Sequence, residues 1–190
     1  GKTTNTNAAW ISHNLSLAGC NVLRNVTVGD KEEEILDSLC ALFELPVDLV
    51  LCTGGLGPTH DDITQNTVFK FFNSDSVLDE DYWENLKKRF SSLGYSIPLS
   101  NKSQAIIPHN GKVFPNPIGS ARGLLFHKDN ITFMAMPGVP SEMKAMMTDT
   151  VIPWVRKKSK KKNFSINIRT TGIPESVLYE KIKVKNSIQK

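Results

Sequence analysis

Over residues 5–18 the apolar positions Ala8, Ile11, Leu15 and Ala18 recur three and four apart, which predicts an amphipathic helix ended by Gly19. Residues 20–28 carry the β-branched Val22, Val26, Thr27 and Val28 and predict a strand. Asp30 then stands where it can cap a helix reaching to about Glu44, with Ile35, Leu39 and Leu42 on its inner face. The apolar run 47–52 predicts a buried strand, followed by a glycine-rich loop and a helix containing Val68, Phe71 and Phe72. Residues 79–93 predict a charged amphipathic helix. Residues 123–126 and 131–136 predict two strands joined by Lys128, Asp129 and Asn130. Ser141 can cap a long helix with the stripe Met143, Met147, Val151 and Trp154. Helices alternating with short buried strands predict an α/β chain, a three-layer sandwich around a mostly parallel sheet. In such sheets ligands bind beyond the carboxyl ends of the strands, where the loops at Asp30, Gly54 and Pro137 would lie.

Composition adds little to this picture. With 190 residues, 39% hydrophobic and 22% charged, the chain is ordinary for a globular protein. No apolar run approaches the roughly 20 residues of a membrane helix, and the polar opening does not resemble a signal peptide. Cys20, Cys40 and Cys52 lack metal spacing, mostly sit in apolar segments, and read as buried free thiols of a reducing compartment, the cytoplasm. Charge needs one correction. Arg156, Lys157, Lys158, Lys160, Lys161 and Lys162 supply more than the whole net charge of +4, so the rest of the chain is mildly acidic at −2. That stretch has no interleaved aromatics and no recognition helix, and reads as a solvated linker at a helix C-terminus rather than a nucleic-acid contact.

The chemistry concentrates in residues 53–64, Thr-Gly-Gly-Leu-Gly-Pro-Thr-His-Asp-Asp-Ile-Thr, directly after the strand over 47–52. Three glycines in four positions let the backbone turn sharply and bring its N–H groups close to an anion such as phosphate. Asp61 and Asp62 could hold the divalent, magnesium-like cation that neutralises such a ligand. The plainer reading is a strand-to-helix turn in which Thr59 and Asp62 form a capping pair. A cap does not require three glycines and a proline ahead of it. Asp30 and Asn5 read equally as helix caps, and His60 beside two carboxylates reads as a surface pair. Pro137 and Gly138 give a close-approach turn ahead of a helix N-terminus.

Gly54-Gly55-Leu56-Gly57-Pro58-Thr59 followed by Asp61-Asp62-Ile63-Thr64 resembles the signature of the competence-damage-inducible (CinA) family, within the wider molybdopterin-binding (MoCF) superfamily. Four more blocks agree in order: Asn5-Thr6-Asn7, Val28-Gly29-Asp30, Asn116-Pro117-Ile118-Gly119-Ser120-Ala121, and Pro137-Gly138-Val139-Pro140-Ser141-Glu142-Met143. The resemblance implies a MogA-like fold over residues 1–155 with the family's first strand missing, a basic linker over 156–163, and over 164–190 the start of a small second α+β domain, left incomplete. It implies ADP-ribose pyrophosphatase activity, giving AMP and ribose 5-phosphate. Asp62, Asp61 and Asp30 would be the catalytic and metal-holding carboxylates. Asn7, Thr53, Gly54, Gly55, Leu56, Gly57, Thr59, Thr64, Asn116, Pro137 and Gly138 would contact the ligand. The amidase domain of many full-length relatives is absent, so no amidase activity is assigned. The alternative is a molybdopterin or nucleotide binding module without hydrolysis. His60 stands where molybdopterin adenylyltransferases often carry Arg, and the paired carboxylates are more CinA-like. The expected partner is a small nucleotide, with neither membrane nor nucleic acid, and a homo-oligomer is left open.

Overall fold

The structure is a computed structural model and describes residues 5–158 and 169–183. Its elements in chain order are α1 (Thr6–Leu17), α2 (Glu32–Phe43), β1 (Leu49–Thr53), α3 (Thr64–Phe71), β2 (Ser76–Leu78), α4 (Glu80–Ser92), a 3-10 segment (Leu99–Ala105), β3 (Ile106–Pro108), β4 (Lys112–Phe114), β5 (Gly123–Lys128), β6 (Ile131–Met136), α5 (Pro140–Met146), a π turn (Met147–Val151), α6 (Ile152–Lys158) and α7 (Glu175–Lys183).

A four-stranded sheet in the order β1-β6-β5-β4 forms the middle layer. Alternation within the strands sends residues to two different cores. Val50, Leu124, Phe126, Phe133 and Ala135 pack with Ile35 and Leu39 of α2 and Val68, Phe69 and Phe72 beside α3. Met134, Met136 and Phe114 pack on the opposite side with Ile11 and Leu15 of α1 and Met143, Met146, Met147, Val151 and Val155 of the C-terminal helices. Both faces of β6 are buried, so its six residues form an unbroken apolar run apart from Thr132. Each large side chain fully removed from water contributes about 1.5–3 kcal/mol, which makes the two helical layers the main stabilising contacts. A satellite core of Trp83, Leu86 and Ala105 joins α4 to the 3-10 segment, beside the small antiparallel sheet β2-β3.

The three-layer sandwich agrees with the sequence reading, but the sheet is mixed rather than mostly parallel. Only β1 and β6 run parallel among the described strands, while β4-β5 and β5-β6 are antiparallel. The two-residue link between β5 and β6, with Asp129 at φ 53°, permits nothing but a hairpin. The expected strand over residues 20–28 forms no ladder. Among the described residues it pairs with no strand, and it shares with β1 the walls of a groove of about 800 Å³ that Leu15 of α1 and Leu39 of α2 also line. Without a neighbour to hydrogen-bond, β-branched residues alone do not make a strand.

Helix ends also depart from expectation in instructive ways. Asn5 caps α1 by accepting from Ala8 N–H at 3.0 Å, as expected. Asp30 does not cap α2. Lys31 occupies that position, and Glu34 reaches back to accept from Gly29 N–H at 3.1 Å. Ser141 does not cap α5, which starts at Pro140 after Val139, with the proline in the first turn where its missing N–H costs nothing. The predicted long helix is interrupted by the π turn just before Pro153. A proline there cannot donate to the turn behind it, and the wider turn makes room for its ring. That extra residue moves the buried stripe from Trp154 to Val155, which is 3% exposed. Cys40 is exposed rather than buried, while Cys20 and Cys52 are partly covered. Arg156, Lys157 and Lys158 of the expected linker form the last turn of α6, and the helix expected after Pro174 is α7. Residues 159–168, including Lys160, Lys161 and Lys162 of the basic run and all but the last two residues of the predicted strand over 164–170, lie outside the described residues.

Candidate phosphate-binding site

Thr53 and Met136 end β1 and β6 side by side, so the loops that follow leave the sheet as neighbours at its carboxyl edge. Gly54 N–H donates to Met136 O at 3.0 Å, fixing the first loop to the end of the second strand. The two loops then touch through their glycines: a Cβ placed on Gly138 would lie 3.2 Å from Gly54 Cα. Asn7, from the first turn of α1, donates its side-chain amide to Gly138 O at 2.8 Å and holds the second loop from the other side. Asn7 is thereby a brace of the loop rather than a group pointing freely at a ligand.

Gly54 and Gly55 have φ of +102° and +65°, the left-handed region that glycine enters without strain. The side of Gly54 where a side chain would stand is open, since an added Cβ would meet nothing within 4 Å. Gly55 is the reverse case. A Cβ there would lie 2.7 Å from the Cβ of buried Thr64 and closer still to its Oγ1, and Gly55 O accepts from Gln65 N–H at 3.3 Å. The loop is docked on the first turn of α3, and Thr64 is its packing partner. Among the described residues, the N–H groups of Gly55, Leu56, Gly138 and Val139 donate to no protein acceptor. Four uncommitted backbone donors on two touching loops are the means by which a protein without a cationic side chain holds an anion.

Asp62 and Thr59 are paired, though not as a cap of α3. That helix begins at Thr64 after Ile63, with no side-chain cap. Instead the Asp62 carboxylate accepts from Thr59 N–H at 3.0 Å and from the Thr59 hydroxyl, and closes the turn ahead of the helix. Gly57 lies against the same carboxylate, with an added Cβ 2.9 Å from its carbon. Burial pushes the Asp62 carboxyl up, but the Thr59 hydroxyl and N–H and the Gly57 N–H outweigh it and hold it below the usual carboxylate range. Asp61 points outward with His60, their side chains 78% and 92% exposed and 3.3 Å apart. Asp30 is also exposed, at the end of the groove that Thr53, Gly54 and Thr64 border. Among the described residues no three His, Cys, Asp or Glu side chains come together as a metal cage. A magnesium-type cation does not require one: it takes one or two carboxylates and fills its shell with water and ligand phosphate. The exposed Asp61 and Asp30 fit that kind of binding, and Asp62 would have to share its oxygens with its own loop.

Asn116 organises its own turn. Its Oδ1 accepts from Ile118 and Gly119 N–H at 3.1 and 2.9 Å, while its Nδ2 donates to Ala121 O at 3.0 Å and Glu142 Oε2 at 2.6 Å. Glu142 sits in the first turn of α5, so the 116–121 turn is fastened to the helix that follows Gly138. The sequence alone gives Glu142 no role beyond its place in the 137–143 block. The two partners lie 26 positions apart and meet only because the β5-β6 hairpin folds back.

Residues 1–157 match the family described as "Probable molybdopterin binding domain". The chain is 41% identical over 176 residues to a competence-damage inducible protein of Clostridium botulinum and 36% identical over 185 residues to a CinA-like protein of Microcystis aeruginosa. These alignments cover 93% and 96% of this chain but only 43% and 44% of those proteins, so the chain spans less than half their length. Among solved structures it is similar to CinA of Thermoplasma acidophilum, with a TM-score of 0.69 and 36% identity over 78% of this chain and 86% of that one. Molybdenum cofactor biosynthesis protein B shares the fold at a TM-score of 0.51 and 21% identity, covering 83% of this chain and 86% of that one.

Proposed function

Because the chain belongs to the molybdopterin-binding domain family, in its CinA-like branch, we propose that it binds and hydrolyses a nucleotide diphosphate of the ADP-ribose type, releasing AMP and ribose 5-phosphate. The observation that carries this reading is the pair of touching loops with uncommitted N–H groups at Gly55, Leu56, Gly138 and Val139. Phosphate oxygens held by these donors would keep them through the reaction, and donors already fixed in place need no reorganisation as charge develops. Asp62 keeps the first loop closed and Asn7 braces the second. A divalent cation held by Asp61, Asp62 or Asp30 together with the ligand would neutralise the phosphates and lower the pKa of the attacking water.

A second reading is favoured by the commitment of the Asp62 carboxylate to the Thr59 N–H and hydroxyl. On that reading the same loops hold the phosphate of a pterin or nucleotide without cleaving it. Calorimetric titration with ADP-ribose and with molybdopterin, combined with chromatographic detection of AMP in the presence of magnesium, separates the two. AMP formation supports the hydrolase, and binding of ADP-ribose without AMP rejects it in favour of the binding module. Absence of binding to either compound rejects both.

A further inference from the structure

Arg122 directly follows the 116–121 turn, and its side chain is 12% exposed. Its Nη1 donates to Asp79 Oδ2 at 2.6 Å, and its guanidinium carbon lies 3.7 Å from the centre of the Tyr82 ring. Nε and Nη2 are buried with no hydrogen-bond partner. A buried guanidinium with one carboxylate and two orphaned donors is costly, and an apolar side chain would fill the same space more cheaply. Packing alone therefore does not account for it.

The neighbours of Arg122 explain what it fixes. Asp79 caps α4 by accepting from Tyr82 N–H at 2.9 Å, and Arg122 holds the Asp79 carboxyl below the usual range. The Tyr82 hydroxyl donates to Ser120 O at 2.8 Å, and Arg89 Nη2 donates to Ile118 O at 3.3 Å. One helix thus grips three points of a five-residue stretch. Arg122 also borders a cavity of about 10 Å³, near the minimum for one water molecule, together with Leu56 of the glycine loop, Gln65 and Gln104.

The geometry points to Arg122 as a positioning residue for the loop site. Clamped to Asp79 and laid on Tyr82, it presses the 116–121 turn onto α4. The turn in turn keeps Asn116 and Gly119 on Glu142, at the start of the helix that carries Gly138 on its leading loop. Releasing the clamp loosens the turn, and the ordering of that turn must then come out of the binding free energy of the ligand. The ligand half of this statement rests on the proposed ADP-ribose reading; the mechanical half does not.

The test uses Arg122→Gln, Arg122→Lys and Asp79→Asn in the whole chain, with Asn chosen because it caps a helix about as well as Asp. Amide hydrogen exchange at Ile118 and Gly119, and ADP-ribose affinity by calorimetry, are compared with exchange in β6 as an internal control. Arg122→Gln and Asp79→Asn are expected to speed exchange at 118 and 119 and to weaken ADP-ribose binding about tenfold each, leaving β6 unchanged. Arg122→Lys should restore part of both, and the double variant should be no worse than either single one, since both remove the same pair. Unchanged exchange at 118 and 119, equal acceleration in β6, or fully additive effects would overturn the assignment. If Arg122→Gln does not fold, Tyr82→Phe removes only the bond to Ser120 and should give a smaller effect of the same kind; no effect there counts against the clamp. Failure of the unaltered protein to bind ADP-ribose would reject the ADP-ribose reading, while exchange at 118 and 119 would still decide the clamp.

Discussion

At the scale of single residues, Asp62 and Gly55 each perform a structural task that the ligand would depend on. Asn at position 62 keeps the shape of Asp but has one acceptor oxygen and turns an NH₂ toward the donors of Thr59 and Gly57. Asp62→Asn is therefore expected to lower turnover of ADP-ribose by about two orders of magnitude, a barrier increase of roughly 2.7 kcal/mol. Excess magnesium distinguishes the causes. Recovery of turnover would assign the loss to metal affinity, and no recovery would assign it to the opened loop. The pH response follows from the depressed Asp62 carboxyl. Its contribution to loop closure is complete above the ordinary carboxylate pKa of about 3.9 and is lost as pH falls through the lower folded value. ADP-ribose affinity should accordingly be flat from neutral pH down to about 5 and fall below about 4, and the fall should be absent in Asp62→Asn. Gly55→Val is expected to abolish binding, but not with an intact fold. Its side chain would push into Thr64 and undock the loop from α3, so a drop in melting temperature should accompany the loss, and calorimetry on a folded variant with normal affinity would refute this.

At the scale of elements, helix ends show how local chemistry is settled by what lies nearby. α3 ends with Asn73 at φ 49°, Asn73 N–H on Lys70 O and Ser74 N–H on Phe69 O, a Schellman closure built on asparagine. Asn73→Gly should raise stability by up to about 1 kcal/mol, and Asn73→Val should lower it by about 1–2 kcal/mol, as read by denaturant midpoints. Periodicity made α1, α2, α4 and the β5-β6 hairpin legible, because each carries its own apolar repeat. Strands β2, β3 and β4 have three residues each and too little pattern to be recognised before their partners are known. The segment over 20–28 failed in the opposite direction, with a good pattern and no partner. The glycine loop was legible because its residues are adjacent in sequence. Glu142 and Arg122 were not, because their roles come from contacts with Asn116 and Asp79 across the fold.

At the scale of the molecule, the site sits where two cores meet the carboxyl edge of one sheet, so ligand binding and global stability are linked. ADP-ribose at a hundred times its dissociation constant should stabilise the fold by about 2.7 kcal/mol, raising the melting temperature by roughly 5–10 °C for a chain of this size. Gly55→Val should show no such rise. The parallel pairing of β1 with β6 bears on the order of assembly. Leu49 to Thr53 must find Thr132 to Met136 across about eighty intervening residues, whereas the β5-β6 hairpin closes over two and forms within about 1–10 μs once nucleated. Long closures are slow because the entropy of the intervening chain is spent before any contact rewards it. Gly54 and Gly138 become neighbours only when that closure completes. During refolding, protection of the hairpin amides should therefore precede the recovery of ADP-ribose binding, which would serve as a clock for the last step of folding.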